Sequence, residues 1–278
     1  MAAHFSGKVC VVTGAGSGIG RSTALLFARL GANVHVAELD EERARAVVAE
    51  IEAAGGKATA HVTDVTDAAA VETLAEAVYA ANGAVDVLHN NAGIGHGGPV
   101  EETTLEDWQR VIAVNLMGVV HGVHFFVPRM LAQGRPAHIV NTASLAGLVA
   151  TPELVPYATT KHAVVGLTES LNAELAGRGI HVSAICPGII NTNIVATATM
   201  RGDLGRRQGR AVEFYERRGA SPDVVAEAVV DAVRRKRLIR TTPRWHVAPS
   251  WAIRRLSPRL GQFAARATTR ATTRLTGG

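Results

Sequence analysis

Short apolar runs rich in Val, Ile and Ala alternate along the chain with longer segments in which apolar residues recur every three or four positions. The short runs predict buried strands, and the longer segments predict amphipathic helices between them. The predicted strands are 8–13, 33–37, 57–65, 85–93, 137–144, 181–188 and a last candidate at 237–241, and the predicted helices are 21–30, 41–54, 68–82, 105–131, 156–177 and 223–235. This alternation predicts an α/β fold in three layers, with a doubly wound parallel sheet between two layers of helices.

Capping residues mark the starts of several predicted helices. Asp40 and either Thr103 or Thr104 are N-cap candidates, and Ser221-Pro222 combines an N-cap with proline at the first helical position. Between 189 and 220 the regular alternation stops, and the segment is polar and contains glycine. We therefore predict a substrate flap at about 189–220, within a single domain formed by residues 1–245.

Composition adds limits on compartment and on metal binding. With 278 residues, of which 47% are hydrophobic, the chain can bury a sizeable core. No uninterrupted apolar run reaches the roughly 18 residues of a membrane span, and the N-terminal sequence lacks the layout of a secretory signal. Cys10 and Cys186 lie in apolar strand-like runs and are expected to be buried thiols in a reducing compartment. We expect a cytoplasmic protein, and the spacing of Cys and His predicts no metal site.

The net charge of +5 is distributed unevenly. Residues 1–200 contain 11 basic and 18 acidic side chains, a net charge of −7, whereas residues 201–278 contain 18 basic and 6 acidic side chains, a net charge of +12. The basic character therefore belongs to the C-terminal part, which includes a basic extension at 246–278. This extension is interpreted as a mobile or oligomer-packing tail, as a peripheral anchor to an anionic membrane, or as a nucleic-acid contact. No nucleic-acid partner is expected, because no known binding module is present.

A glycine-rich turn with the sequence TGAGSGIG, Thr13–Gly20, joins the first predicted strand to the first predicted helix. Its glycines allow the backbone to turn tightly and to approach a pyrophosphate at the helix N-terminus. Glu38 follows the second strand, where a carboxylate accepts hydrogen bonds from ribose hydroxyls and repels a 2′-phosphate. No basic residue occupies position 15, 17 or 39, so we predict NAD rather than NADP as the cofactor.

Tyr157 and Lys161, in the sequence YATTK, are four residues apart in a predicted helix, so their side chains share one face. Tyrosine normally loses its proton near pH 10, and a nearby ammonium favours the phenolate. We therefore predict a lowered pKa for Tyr157, in a range where the phenol can exchange a proton. The motif alone is common on exposed helices. Ser144, thirteen residues earlier, and Asn115, on the preceding helix, make it a candidate active site.

In order along the chain, TGAGSGIG, NNAG at 90–93, Asn115, Ser144, YATTK and PGIINT at 187–192 resemble the motifs of the short-chain dehydrogenase/reductase family over residues 7 to about 245. The resemblance implies a Rossmann-like single domain, an oxidoreductase activity, and a catalytic set of Asn115, Ser144, Tyr157 and Lys161. Tyr157 would exchange a proton with a carbonyl or alcohol oxygen, and Ser144 would stabilise the charge that develops there. Lys161 would bind the nicotinamide ribose, and Asn115 would hold a water that links Lys161 to solvent.

The resemblance also implies a set of cofactor contacts. Asp64 and Val65 would flank the adenine, and Asn91 and Gly93 would line the adenosine side. Thr192 and the backbone of Ile190 would contact the nicotinamide amide. The complete predicted cofactor-binding set is Gly14, Ser17, Gly18, Ile19, Gly20, Glu38, Asp64, Val65, Asn91, Ala92, Gly93, Tyr157, Lys161, Pro187, Gly188, Ile190 and Thr192.

The substrate side of the predicted cleft is mostly apolar. Its predicted contacts are Ser144, Leu145, Leu154 and Tyr157, which favour a small hydrophobic alcohol or ketone. His96 lies in a glycine-rich loop and is expected to be solvated, whereas His121 and His124 are expected to pack on a helix or an interface.

Two alternatives concern the protein as a whole. A family member that binds NAD(H) without turnover, in a regulatory or membrane-associated role, is the alternative to an enzyme, and the intact catalytic set argues against it. The long apolar helices 105–131 and 156–177 commonly pair between subunits in the family, so a homodimer or homotetramer is expected.

Overall fold

The structure, a computed structural model, describes residues 2–263 and Ala265 of the chain. Its strands are β1 (Val9–Thr13), β2 (Asn33–Glu38), β3 (Lys57–Val62), β4 (Val87–Asn90), β5 (His96–Gly97), β6 (Ala137–Thr142), β7 (Ile180–Pro187), β8 (Thr199–Met200) and β9 (Ile239–Thr242). Its helices are α1 (Ala2–Phe5), α2 (Gly18–Arg29), α3 (Glu41–Ala53), α4 (Ala68–Asn82), α5 (Leu105–Ile112), α6 (Gly118–Ala132), α7 (Val155–Leu175), α8 (Gly202–Arg206), α9 (Gln208–Arg218), α10 (Pro222–Arg235) and α11 (Arg244–Leu256).

Seven strands form one sheet in the order β3-β2-β1-β4-β6-β7-β9, and every pairing in it is parallel. The order reverses direction beside β1, where the chain crosses from β3 to β4. Crevices at such a reversal, beyond the carboxyl ends of the strands, are where ligands bind in open α/β sheets. The predicted doubly wound parallel sheet is confirmed.

The core consists of apolar clusters on both faces of the sheet. Cys10 and Val12 of β1 pack on one face with α2, α3 and α10, whereas Val9 and Val11 pack on the other with α4, α6 and α7. This alternation follows from the two-residue period of a strand. Each fully buried side chain of this kind, such as Phe27, contributes about 1.5–3 kcal/mol relative to an exposed one. Both cysteines are buried free thiols, as the sequence predicts.

Side-chain caps start the helices where the sequence predicts. The Asp40 carboxylate accepts a hydrogen bond from the Arg43 backbone N–H at the start of α3. Thr104, rather than Thr103, caps α5 in a reciprocal capping box with Asp107. Ser221 caps α10, with Pro222 at its first position.

The predicted helix 105–131 is α5 and α6 joined by a π-helical turn, Ala113–Met117. The whole stretch Leu105–Ala132 is long and apolar enough to cross a membrane, but the core helix of a globular protein passes the same test. Val111, Phe126 and Met130 of this stretch are buried in the fold.

The flap predicted at 189–220 contains regular structure that its polar composition did not indicate. It holds β8, α8 and α9, and β8 pairs with the short strand β5 outside the main sheet. The Gln208 side chain fastens the start of α9 by donating hydrogen bonds to the carbonyls of Val195, Ala196 and Ala198. These contacts within the segment stabilise helices that hydrophobic periodicity alone does not reveal.

The predicted extension 246–278 begins inside α11 rather than after the last element of the domain. Val247 is fully buried, and Trp251 packs against the same apolar cluster. The first residues of the extension are therefore packed on the domain. Residues 264 and 266–278, which include Arg266, Arg270 and Arg274 of the basic extension, lie outside the described part of the chain.

Candidate active site

The glycine-rich turn between β1 and α2 is closely packed. Gly14 has a positive φ of 61°, and a Cβ added there would lie 2.8 Å from the Ala92 Cα. Gly18 also has a positive φ, 50°, and a Cβ there would lie 3.1 Å from Cγ2 of Thr192. These positions require glycine, both for backbone conformation and for the close approach of neighbouring segments. Thr192, at the start of the flap, therefore lies over the turn.

The other predicted residues of this turn belong to the start of α2. Ser17 is the N-cap of α2, although its side chain makes no capping hydrogen bond. Ile19 is half-buried against the core, and an added Cβ on Gly20 would collide with the Gly14 carbonyl oxygen. The turn thus presents the N-terminus of a 12-residue helix, which favours an anion through its free N–H groups and its dipole.

Glu38 ends β2 directly beside this turn. Its Oε2 accepts a hydrogen bond from the Gly16 backbone N–H at 2.8 Å, and its Oε1 accepts one from Leu39 N–H at 3.1 Å. Arg43 also lies beside Gly16, since a Cβ added to Gly16 would lie 2.8 Å from the Arg43 Cβ. The residue types at positions 15, 17 and 39 give no sign of this arginine, because α3 brings Arg43 to the turn only in the tertiary fold.

Asn91 and its neighbours join the end of β4 to the same turn. The Thr13 Oγ1 accepts hydrogen bonds from the backbone N–H groups of Asn91 and Ala92 at 2.9 and 3.1 Å. The Asn91 side chain donates to the Thr13 carbonyl at 3.1 Å. Gly93 follows, and a Cβ added there would lie 3.2 Å from Asn115 Oδ1 and 3.5 Å from Lys161 Nζ. Gly93 is therefore the point at which the cofactor side meets the candidate catalytic residues.

Asp64 and Val65 follow β3 at the edge of the cleft. The Asp64 carboxylate accepts hydrogen bonds from the backbone N–H and the hydroxyl of Thr66 at 2.8 and 2.7 Å. Val65 is buried, and its carbonyl bonds to Nδ1 of His121 on α6 at 2.8 Å. His121 therefore has a packing role, as predicted, because it joins α6 to the segment that follows β3.

Asn115 lies fully buried in the π-helical turn. Its Oδ1 accepts a hydrogen bond from the Ile94 N–H at 2.8 Å, and its Nδ2 donates to the Ile94 carbonyl at 2.9 Å. This pair of bonds fastens the helix to the loop that follows β4. It accounts for a locally widened turn in a place where the sequence pattern predicts a continuous helix.

Lys161 is buried, and its Nζ donates a hydrogen bond to the Thr142 carbonyl at the end of β6 at 2.9 Å. The same Nζ lies 5.7 Å from the centre of the Tyr157 ring. Burial lowers the pKa of Lys161 to about 8. This ammonium therefore becomes neutral at a much lower pH than an exposed lysine does.

Tyr157 is held next to Ser144. Burial raises the pKa of Tyr157 to about 12, and a hydrogen bond between the Ser144 and Tyr157 side chains offsets part of this rise. The prediction of a lowered pKa is therefore wrong for the chain by itself, because removal of the phenol from water outweighs the ammonium four residues away. A second positive charge beside the phenol is needed to lower its pKa into the range of proton exchange.

The arrangement fits a nicotinamide dinucleotide. The glycine turn leaves no room for side chains, a carboxylate ends β2, and a buried ammonium lies beyond Gly93. Pro187 ends β7, Gly188 donates its N–H to the Thr242 carbonyl at 2.8 Å, and the Ile190 side chain is buried in the core. Only the backbone of Ile190 is thus available to a ligand. No group of three or more His, Cys, Asp or Glu residues that could hold a metal occurs within 2–263 and 265.

The predicted substrate contacts surround the loop between β6 and α7. Leu145 begins a 3-10 turn directly after Ser144, and Leu154 is the residue before α7. The Leu154 side chain lies against Gly97 of β5. Tyr215 of α9 lies close enough to Tyr157 to raise the pKa of that phenol further. Nothing in the sequence pattern singled out Tyr215, because the flap folds over the site only in three dimensions.

His96 is buried rather than solvated, so its predicted exposure is wrong. Its backbone pairs with Thr199 in the β5–β8 ladder, and its Nε2 lies 3.5 Å from the Asp107 carboxylate. Pairing with a segment about a hundred residues away buries this histidine, and the local glycine-rich sequence contains no sign of that pairing.

Arg201 fastens the flap to α5. Its Nε and Nη2 donate to both oxygens of the Asp107 carboxylate, at 2.9 and 3.0 Å, and its backbone N–H donates to the Gly97 carbonyl at 2.8 Å. Bidentate pairs of this kind are both strong and geometrically specific. The Arg201 guanidinium holds the pKa of Asp107 well below its usual range. The pair therefore contributes its full stability above about pH 4, the usual pKa of a carboxyl, and this contribution declines as the pH falls towards the depressed pKa of Asp107 in the folded chain.

We expect Arg201→Gln to increase proteolytic cleavage within the flap by about tenfold, because the buried Asp107 carboxylate would lose its charged partner. The KM for substrate should rise in parallel, since the flap covers the cleft. Limited proteolysis above and below pH 4 measures the first effect, and initial-rate kinetics measures the second.

The matched control is Arg206→Gln, which removes an exposed ion pair with Asp203 on the same flap. Such exposed pairs contribute little. Equal cleavage rates for the two variants would show that the Arg201–Asp107 pair does not hold the flap.

The amino-acid sequence of the chain is similar to those of known oxidoreductases. The model of the short chain dehydrogenase family matches residues 8–201. A Mycobacterium tuberculosis protein described as probable oxidoreductase EphD is 44% identical over 243 residues, which are 85% of this chain and 41% of that protein. The chain thus spans about two fifths of the length of that relative. Cyclohexanol dehydrogenase of Acinetobacter sp. is 43% identical over 197 residues, covering 70% of this chain and 78% of that enzyme.

Among solved structures, a short chain dehydrogenase/reductase from Burkholderia phymatum in complex with NAD has the same fold. It superposes with a TM-score of 0.86 at 37% sequence identity, and the match covers 92% of this chain and 95% of that one. The similarity therefore extends over nearly the whole described chain.

Proposed function

The chain belongs to the short-chain dehydrogenase/reductase family, and on that premise we propose that it transfers hydride between NAD(H) and a hydrophobic secondary alcohol or ketone. It is an oxidoreductase of this family, and solved structures of similar members hold NAD in one case and NADP in another. The observation that supports the proposal most is the closeness of the Ser144 side chain to the Tyr157 phenol, with the buried Lys161 Nζ 5.7 Å from the centre of the Tyr157 ring. Of the three, Lys161 extends to Gly93, where an added Cβ would lie 3.5 Å from its Nζ, next to the glycine cradle.

Three residues of the chain have separate roles in the proposed proton transfer. Tyr157 exchanges a proton between its phenol oxygen and the substrate oxygen, and Ser144 donates a hydrogen bond to that oxygen as its charge develops. Lys161 supplies a positive charge beside the phenol and hydrogen bonds to the ribose hydroxyls. A bound nicotinamide ring supplies or accepts the hydride and, in its oxidised form, adds the second positive charge that lowers the pKa of Tyr157.

The role proposed for Asn115 is to position other groups of the site. Both ends of its amide are bonded to Ile94, so it holds the loop after β4 against the site. We assign it the placement of a water that connects Lys161 to solvent, as the family resemblance implies.

The preference for NAD follows from Glu38. Its carboxylate is held in place by the Gly16 and Leu39 N–H groups, at the position where a 2′-phosphate would meet a negative charge. Arg43 acts in the opposite sense, and its guanidinium is partly neutralised by Asp40 at 3.2 Å. We propose that Glu38 outweighs Arg43.

The preference for a hydrophobic substrate follows from the apolar side chains that surround the cleft, Leu145, Leu154 and the flap residue Met200. A Cβ added to Gly97 would lie 3.1 Å from Leu154 and 2.8 Å from the Met200 sulfur, so these side chains converge from different elements. Similarity to an enzyme named for an alicyclic alcohol supports the same class of substrate.

The decisive experiment measures kcat/KM for a panel of linear and alicyclic secondary alcohols with NAD and with NADP. We expect turnover with NAD, and we expect Glu38→Gln to raise NADP-supported relative to NAD-supported kcat/KM by about tenfold or more, because like-charge repulsion disappears. Glu41→Gln is the matched control, since Glu41 is exposed and pairs with Arg45 on the same helix. A strong NADP preference of the unchanged chain would refute the role of Glu38. NADH binding without turnover of any alcohol or ketone would favour the non-catalytic alternative.

We further propose a cytoplasmic homodimer or homotetramer that pairs through α5, α6 and α7. The long apolar stretch Leu105–Ala132 supports this, because only part of its surface is covered within one chain. The molar mass in solution, measured by light scattering, distinguishes a monomer from either assembly.

A further inference from the structure

Helix α11 has two contrasting faces. Its inner face is held by the buried Val247, by Trp251 against the core, and by Arg254, which donates to the Leu148 carbonyl. Residues that are three or four positions apart lie on the same side of a helix, and such a set forms the opposite, outer face of α11. The residues of this outer face are Trp245, Pro249, Ala252, Ile253 and Leu256.

This outer face is apolar and lies in solvent. Trp245 is 72% exposed and Leu256 is 87% exposed. In the short helical stretch that follows, residues 258–263, Leu260 and Phe263 are also exposed, by 59% and 72%. Large apolar side chains clustered on a surface, in contrast to single ones, indicate an interaction site.

The charged side chains of α11 and of residues 258–263 are all positive. Arg244 and Arg255 flank the apolar residues on α11, and Arg259 lies between the two helical stretches. After Asp231 the sequence contains no acidic side chain. An apolar face bordered by arginines matches an anionic lipid surface, which attracts the guanidinium groups and accepts the apolar side chains at its boundary. Tryptophan favours this boundary in particular.

A second copy of the chain is a poorer match. A two-fold interface places the same patch of each subunit against the other, so the arginines of one copy would approach those of its partner without an acidic residue nearby. We propose that the outer face of α11, together with residues 258–263, docks the protein peripherally on an anionic lipid bilayer.

The inner face of α11 connects this surface to the candidate active site. The chain segment at Leu148 follows Ser144 closely, and a Cβ added to Gly188 would lie 2.6 Å from the His246 Cβ. Docking therefore places the cleft next to the bilayer, where hydrophobic alcohols and ketones concentrate. This consequence rests on the proposed function, whereas the docking itself does not.

Co-sedimentation of the full chain with vesicles tests the docking without cofactor or substrate. We expect binding to vesicles that contain phosphatidylglycerol and much weaker binding to phosphatidylcholine alone. The double change Trp245→Glu with Leu256→Glu should lower partitioning by about tenfold or more. Arg255→Gln with Arg259→Gln should lower it on anionic vesicles by a similar factor.

The matched controls make the same kinds of substitution at exposed residues outside the proposed docking surface. Val62→Glu with Val100→Glu introduces the same two charges at two 58%-exposed valines outside α11 and outside the proposed subunit interface, and Arg29→Gln with Arg178→Gln removes two exposed arginines elsewhere. Both should bind vesicles like the unchanged chain. Failure of the unchanged chain to bind anionic vesicles would overturn the proposal, as would equal binding by the α11 variants. A lower molar mass of the Trp245→Glu, Leu256→Glu variant would also overturn it, because it would show that a second copy covers this face.

The docking proposal and the enzymatic proposal can be refuted independently of each other. Vesicle binding by a chain that turns over no alcohol would refute only the dehydrogenase assignment. Turnover of soluble alcohols by a chain that binds no vesicles would refute only the docking.

Discussion

Replacing Tyr157 with phenylalanine is expected to lower kcat by about 10²–10⁴-fold, the range that a positioned acid or base contributes. The change removes one oxygen and keeps the ring, so Lys161 stays buried on the Thr142 carbonyl and the glycine cradle is untouched. NADH binding, followed by cofactor fluorescence, should therefore stay within a few-fold of that of the unchanged chain. Turnover near the unchanged rate would refute the proton-transfer role of the phenol.

Tyr79→Phe provides the matched control for this change. Tyr79 donates a hydrogen bond to the Gln133 side chain at 3.0 Å, away from the cleft. Loss of that bond should cost about 1 kcal/mol of stability and leave kcat unchanged. A comparable loss of kcat in both variants would indicate a general effect on folding rather than on chemistry.

Replacing Lys161 with methionine should impair both cofactor binding and turnover, in contrast to Tyr157→Phe. A charge-assisted hydrogen bond of the kind proposed to the ribose contributes about 1.5–3 kcal/mol, so NADH should bind roughly 10- to 100-fold more weakly. Turnover should fall further, because the phenol of Tyr157, whose pKa burial raises to about 12, would lose a neighbouring positive charge. Titration with NADH and steady-state kinetics separate these two effects.

The same variant should alter the pH dependence of stability. Burial lowers the pKa of Lys161 from 10.5 to about 8, so between these values the unfolded chain binds more protons than the folded chain. The free energy of unfolding should therefore gain a rising contribution between about pH 8 and 10.5 in the unchanged chain, and Lys161→Met should lack it. Lys8→Met, which removes a half-exposed lysine paired with Asp86, is the control that should retain this rise. Identical pH slopes for both variants would contradict a buried ammonium at position 161.

Local sequence was sufficient where a feature depends on neighbours along the chain. The two-residue and 3.6-residue periods predict the strands and helices of the sheet, and Asp40, Thr104 and Ser221 predict where helices begin. The glycines of the turn after β1 and the four-residue spacing of Tyr157 and Lys161 follow from backbone geometry alone. The family motifs connect these local features in a fixed order.

Other features depend on segments that are distant in sequence. Arg43 reaches the glycine turn from α3, and Tyr215 reaches Tyr157 from α9. His96 is buried by its pairing with the flap. The π-helical turn at Asn115 follows from hydrogen bonds to Ile94, which lies 21 residues earlier. None of these contacts has a periodicity or a spacing that a sequence pattern could express.

The sequence by itself determined the class of fold and the family, and it predicts the reaction type and the residues that handle the proton, because these follow from local periodicity and from side-chain chemistry in a fixed order. The tertiary structure alone decided that burial, rather than the neighbouring ammonium, sets the pKa of Tyr157 in the chain by itself. It also decided that the flap is fastened through Arg201 and that the basic extension begins as a packed helix with an apolar outer face. Burial and long-range pairing set these properties, and both exist only once distant segments have come together.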